Sequence, residues 1–238
     1  MTEVSVIVCA YNTAAYVGKS LESAFGQTLS PELYEVVFID DGSTDGTEQA
    51  IAPYRRRANF RYIKHPMNQG VVRACNRGLE EARGAYVMRL DSDDTVAPSI
   101  LEAMHRPLRE GVTDFVYSDR IELQEATGEP RQVSLAQFNL FDLPAAGVMF
   151  RRDLALEVGG YRNFFWEEFD LYLRYLPKTQ KPLHHIPEAL MTYVIRQGSR
   201  TSYREIVRRG WEELAGAWPA EAIERFGRLP EAALQGNG

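Results

Sequence analysis

The first 95 positions are patterned in blocks. Residues 4–10, a β-branched run, and the shorter, mostly apolar segments 34–39, 60–63 and 85–90 each stop at polar residues and read as strands. Between the first two, Val17, Leu21, Ala24 and Phe25 recur at helical spacing and predict a helix over 14–27. Asp45 with Glu48 three residues on predicts a second helix start with a capping-box-like arrangement. A third helix is expected from the loop at 66–70 to about Arg83. A β-α-β-α-β-α-β order predicts a parallel sheet with helices on both faces. Right-handed crossovers then open all these strand ends on one rim, so Tyr11, Asp41 and Asp93 fall near one crevice, where ligands of open α/β sheets collect.

Beyond position 95 the pattern changes. A helix is expected at 98–109, a strand at 114–123, a polar turn at 125–130 and shorter apolar segments at 148–150 and 189–195. An acidic, aromatic stretch occupies 164–174, and 203–226 reads as an amphipathic helix with Ile206, Val207, Trp211 and Leu214 on its apolar face. No linker separates the parts. They read as one domain, 1–226, comprising a nucleotide-binding half (1–95), an acceptor half (96–202) and a C-terminal helical segment (203–226), with 227–238 as a flexible tail.

A chain of 238 residues is ample for such a core. Its net charge of −6 argues against nucleic acid, and the run Arg55-Arg56-Arg57 reads as a solvated helix end. Two cysteines, Cys9 and Cys75, are too few for a disulfide framework and point to a reducing cytoplasm. No apolar stretch reaches 18 residues and no signal peptide opens the chain, so neither a span nor export is expected. Arg204, Arg208 and Arg209 on the last helix leave two readings: peripheral contact with an anionic (inner) membrane surface, or packing on the domain or a second subunit.

The common chemical fingerprints are missing. No G-x-G-x-x-G follows a strand, and neither G-x-x-x-x-G-K-[ST] nor G-x-S-x-G occurs. The four histidines lack zinc-ligand spacing, and His184-His185 beside Ile186 read as strand packing. Acids at a strand end remain. Asp91, Asp93 and Asp94 follow an apolar run, and three such groups repel one another unless a cation sits between them. Hard oxygen ligands suit Mg2+ or Mn2+ together with substrate phosphates. The competing account is an Asp-rich loop that caps a helix opening at 95–98, with Asp94 as the cap.

Seven segments in order carry a resemblance: Val-Ser-Val-Ile-Val at 4–8, Asp40-Asp41-Gly42-Ser43-Thr44-Asp45, Asn68-x-Gly70 through Asn76, Leu90-Asp91-Ser92-Asp93-Asp94, Gly159-Gly160-Tyr161, Glu167-Glu168-x-Asp170-Leu171, and 193–199. Over about residues 4–200 the chain resembles the inverting family 2 glycosyltransferases of GT-A fold. The resemblance implies an α/β GT-A-type single domain, with a central mainly parallel sheet flanked by helices and a smaller acceptor-side second half. It implies a metal-dependent transfer, with Mn2+ or Mg2+, from a nucleotide diphosphate sugar to an acceptor hydroxyl in polysaccharide, cell-envelope or glycolipid synthesis. A UDP-sugar is favoured, with GDP and dTDP donors open, and the acceptor is left open among a glycan, a lipid-linked sugar and a protein.

By the same resemblance, Asp41 accepts a hydrogen bond from the base, Tyr11 packs on its ring, and Cys9 and Ser92 line the donor site. Asp91 orients the ribose or sugar and Asp93 ligates the metal. Arg73 faces the donor, or is an exposed helix charge. The base falls in a Glu-Asp pair that is Glu167-Glu168 here, so Glu168 takes the usual Asp position and Asp170 is its rival; an acidic helix N-terminus is the plain alternative. Gly159 and Gly160 admit close approach of acceptor or donor sugar, or cap a helix. Trp166 and Phe165 form an acceptor platform or pack in the core, and Glu167 lies on the acceptor side. Arg196 stands where family members often carry His; its fork suits phosphate oxygens, which leaves the metal one protein ligand fewer. Residues 199–202 are expected in a mobile loop over the donor. Two rivals remain: a sugar-nucleotide pyrophosphorylase, which lacks its Gly-rich, Arg-containing loop here, and a catalytically degenerate module that binds a nucleotide sugar or glycan without turnover.

Overall fold

The computed structural model describes residues 1–199 and 203–230. The first half runs β1 (Val4–Ala10), α1 (Val17–Phe25), β2 (Tyr34–Asp40), α2 (Thr47–Ala50), β3 (Phe60–Lys64), α3 (Val71–Glu81) and β4 (Tyr86–Asp91). The second continues with β5 (Thr95–Val96), α4 (Ile100–Arg109), β6 (Phe115–Gln124), β7 (Pro130–Val133), β8 (Met149–Arg151), α5 (Arg152–Glu157), α6 (Glu167–Tyr175), β9 (His184–Ile195), α7 (Arg204–Ala217) and α8 (Ala220–Glu224). Among the described residues the strands form one sheet in the order β3-β2-β1-β4-β8-β6-β9-β5, with β7 on β6. It is parallel across the first half. In the second half it is mixed, since β8 joins β4 and β6 antiparallel while β6 and β9 run parallel.

Strand alternation splits the core between the two faces of the sheet. Val4, Val6 and Val8 of β1 pack with Leu21 of α1 and Leu101 and Met104 of α4, whereas Ile7 packs with Cys75 and Leu79 of α3. The second face continues through Phe115, Phe169 and Tyr172 to Trp211 and Leu214 of α7. Every residue of β2 is buried, Glu35 and Asp40 included, which is why its apolar residues do not alternate with exposed ones.

Several local expectations fail for identifiable reasons. The Asp45–Glu48 capping box does not form: Asp45 accepts from Ala14 N and Thr47, while Glu48 pairs with Arg55 and Lys64. Thr95 and Val96 do not open a helix but pair with Thr192 and Met191 of β9. Asp94 caps nothing; it accepts from Val194 N at 2.9 Å and ties the same strand. The polar strand β7 has no apolar alternation to announce it. The C-terminal helix breaks at Trp218-Pro219, where the residue before proline is extended. Residues 227 and 228 are tied to Ile223 and Asn139, and the rest of the expected tail from 231 lies outside the described residues, as does the loop at 200–202. His185 does pack within the sheet, bonded to Asp119 at 2.7 Å and stacked on Tyr117.

Candidate active site at the strand ends

Strand register assembles the rim. Ala10 lies opposite Asp40 and Cys9 opposite Asp91, so the loops that leave β1, β2 and β4 meet at one level. Asn12 N donates to Ser43 Oγ, and Asn12 Oδ1 accepts from Thr44 N, lacing the first two loops together. Asp41 is buried; its Oδ1 accepts from Gln69 N at 3.0 Å and contacts His65 Nδ1 at 2.7 Å, and its Oδ2 accepts from Gly70 N at 2.8 Å. Gly42 completes this turn at φ 76°, where a Cβ would lie 2.4 Å from the Met67 carbonyl carbon, so only glycine fits.

At the end of β4, Arg89 and Asp91 project to the same face of the strand. Arg89 Nε donates to Asp91 Oδ1 at 2.7 Å, and its Nη1 donates to Glu167 Oε1 of α6 at 3.0 Å. Burial opposes the charge on Arg89, but the carboxylates of Asp91 and Glu167 outweigh it, so the guanidinium stays ionised. Burial and then the charge of Asp91 push the Asp94 carboxyl well above the usual range. Asp93 pairs with Arg196, whose guanidinium also lies 3.9 Å over the Tyr16 ring. Arg196 Nη1 is buried and, among the described residues, has no hydrogen-bond partner.

These loops open on a cavity of about 1000 Å3. Cys9, Tyr11, Asp41, Asp91, Ser92 and Asp93 line it from the first half, and Trp166, Glu167 and Glu168 from the start of α6. Phe141, Phe169 and Trp211 complete an aromatic wall, with Trp166 and Trp211 centred 4.6 Å apart and Phe169 stacked on Trp211 at 5.3 Å. Asp91, Asp93 and Asp94 all line the cavity, and Asp94 gives one carboxylate oxygen to Val194 N of β9. Among the described residues no group of three or more metal-ligating side chains is gathered. This donor set fits a hard divalent cation that takes one or two carboxylates and completes its shell with phosphate oxygens and water.

The other expected site residues, Arg196 among them, do not line the cavity. Arg73 is exposed on α3. Gly159 and Gly160 end α5 at φ 86° and 65°, and Gly160 packs against Asn76, whose side chain brackets the Tyr161 backbone with two bonds of 2.8 Å. Asp170 is fully buried and held by Arg162, Arg174 and Trp218 Nε1. Burial alone would raise its pKa; hydrogen bonds from the two arginines prevail and hold it below the ordinary carboxylate value.

Residues 5–191, well over half the chain, match the family described as Glycosyl transferase family 2. The chain belongs to this family. It is 33% identical over 171 residues to the glycosyltransferase EpsH of Bacillus subtilis, covering 72% of this chain and 47% of that protein. It is 34% identical over 116 residues to the cholesterol galactosyltransferase of Borreliella burgdorferi, covering 49% and 32%. The chain thus spans less than half the length of either relative. The fold resembles that of S. aureus TarS in complex with UDP-GlcNAc (TM-score 0.74, 21% identity, 94% of this chain and 71% of that one). It also resembles the mannosyltransferase PcManGT of Pyrobaculum calidifontis in complex with GDP-Man and Mn2+ (TM-score 0.70, 19% identity, 97% and 66%). The α/β architecture is therefore that of GT-A glycosyltransferases.

For a chain of glycosyl transferase family 2, three features of the cavity were not legible beforehand. Arg89 hides within an apolar run. Trp211 reads as the apolar stripe of a terminal helix. Arg120 lines the cavity while donating to Glu122 and to the Asp142 carbonyl, yet no local pattern marks it. Around Trp211, α7 packs on the domain, and Arg208 and Arg209 pair with Glu205 and Glu212 of the same helix. No helix among the described residues is long and apolar enough to cross a membrane.

Proposed function

We propose that the chain transfers a sugar from a nucleotide diphosphate sugar to an acceptor hydroxyl with inversion. The observation that carries this reading is the meeting, in one cavity, of Asp41, Asp91 and Asp93 from the first half with Glu168 from α6. A UDP-sugar is the favoured donor, because Asp41 stands at the family position that meets the base and TarS binds UDP-GlcNAc. In this reading Tyr11 packs on the base, Cys9 and Ser92 line the donor site, and Asp91 orients the ribose or sugar. A Mn2+ or Mg2+ ion held by Asp93 would neutralise the charge that builds on the leaving diphosphate. Arg196, whose buried Nη1 has no partner among the described residues, supplies a further charge-assisted donor to the phosphates. Glu168 takes the acceptor proton on the sugar face opposite the leaving group. Asp170 does not serve as the base, because two guanidiniums already hold it. The aromatic wall gives an acceptor ring a flat apolar surface, and the buried Trp166 Nε1, without a partner among the described residues, offers it a donor. A glycan or lipid-linked acceptor of polysaccharide, cell-envelope or glycolipid synthesis suits that wall.

The deciding experiment is a calorimetric titration with UDP, GDP and dTDP, with and without Mn2+, alongside Asp93→Ala. Metal-dependent binding of one nucleotide, lost in the variant, is expected; binding of none defeats the proposal. The Arg196–Asp93 pair favours a second reading, a module that binds a nucleotide sugar or glycan without turnover. It predicts nucleotide binding but no release of UDP from a UDP-sugar, whatever the acceptor.

A further inference from the structure

Arg89 is a buried cation held between two acids of different elements. Its side chain is 8% exposed and that of Glu167 2%, so water screens neither partner of that contact. One branch of the fork meets Asp91 at the end of β4, and another meets Glu167 in the first turn of α6. The backbone is tied at the same place, since the Arg89 carbonyl accepts from Gly147 N at 2.9 Å. Stability does not explain the arrangement: a buried ionic triad is commonly no better than well-packed apolar side chains of the same volume. Geometry does. Glu167 precedes Glu168 in a helix, so fixing the Glu167 carboxylate fixes the rotation of the turn that carries Glu168. A donor carbon and a base must be held to a fraction of an ångström, and a misplacement of about 1 Å costs roughly 100-fold in rate.

We infer that Arg89 is a positioning residue that locks the donor-orienting Asp91 to the helix turn bearing Glu168, so that occupancy of the donor site is transmitted to the base. The inference rests on the donor and base roles proposed above. Arg89→Lys is the informative variant, because an ammonium keeps the charge yet reaches one carboxylate where the fork reaches two.

The test has two parts. Amide hydrogen exchange at 167–170 is followed with and without UDP and Mn2+ in the wild type, Arg89→Lys and Glu167→Gln. UDP slows exchange there in the wild type; in both variants it binds within about threefold of wild type, yet the slowing is lost. Where UDP-sugar is turned over, each variant lowers kcat by about thirtyfold or more, and adding Glu168→Gln to either costs less than about threefold beyond Glu168→Gln alone. Glu167→Gln severs the same link from the other end, so a poorly folding Arg89→Lys leaves the answer readable. Slowing that persists in the variants, kcat within threefold of wild type, or losses that multiply with Glu168→Gln overturn the inference alone. A wild type that binds no nucleotide overturns the functional reading and this inference with it.

Discussion

Glu168 and Asp170 are two carboxylates in one helical turn, both buried, and their partners separate them. Asp170 answers to Arg162, Arg174 and Trp218; Glu168 lines the cavity. Replacing Asp170 with Asn leaves two guanidiniums against a neutral amide. Breaking a buried pair costs about 3–5 kcal/mol, and because Arg162 is half exposed the lower end, about 3 kcal/mol, is expected for Asp170→Asn at pH 7. The sign with pH follows from its depressed folded-state pKa. That stabilisation is complete above the ordinary carboxylate value of about 4 and is lost as pH falls through the lower folded-state value. Thermal unfolding at pH 7, 5 and 3 should show the gap between wild type and variant closing only at the last. Glu168→Gln should instead lower kcat by about 10²–10⁴, with UDP affinity held within about twofold; retained turnover would move the base elsewhere. Both acids were visible in the sequence. Their division of labour was not, because Arg162 lies eight residues away across a turn and only Arg174 sits at the readable i+4 position.

Elements were legible where their partners were near in sequence. β1 to β4 with their helices came out within a few residues, since each βα unit buries a local apolar stripe. β5, β7 and the tie from Asp94 to Val194 were hidden, because a two-residue strand and a polar edge strand carry no periodicity and their partners lie up to 100 residues away. The Gly159-Gly160 pair belongs at this scale. The sequence allowed a close approach to ligand or a helix end, and the structure shows α5 ending there against Asn76, away from the cavity. A Cβ at Gly160 would lie 2.4 Å from Asn76 Oδ1, whereas at Gly159 it meets open space. Gly159→Ala should therefore cost only the left-handed backbone strain of about 1–2 kcal/mol. Gly160→Ala should cost that plus the two Asn76 bonds, about 3 kcal/mol in all. Denaturant midpoints would separate them, and UDP affinity should stay at the wild-type value in both. Equal midpoints would mean that Asn76 gives way and the two halves are not held there.

At the scale of the molecule, the cavity is what the two halves make together, and Arg196, which does not itself line it, ties them at Asp93, which does. It leaves the end of β9, pairs with Asp93 on the loop after β4, and lies over Tyr16 just before α1. The sequence pointed to phosphate contact for this arginine. It gave no sign of the ion pair, because the partner is about a hundred residues upstream and meets it only when the sheet curls the last long strand back over the first half. The pair has an energetic consequence. In the proposed reading, a cation approaching Asp93 must displace a guanidinium that is nine-tenths buried, so metal alone would be opposed until diphosphate oxygens draw Arg196 away. Metal and nucleotide should then bind with positive coupling, each strengthening the other by the same factor. Arg196→Ala removes the competitor and the phosphate contact at once. Mn2+ should bind the nucleotide-free variant several-fold more tightly than wild type, while UDP in the presence of Mn2+ should bind at least about tenfold more weakly, the worth of one charge-assisted hydrogen bond. Two calorimetric titrations read both changes. Opposite movements of the two affinities identify Arg196 as the residue that couples them; a fall in UDP affinity with Mn2+ binding unchanged would reduce it to a phosphate contact, and no change in either would remove it from the site.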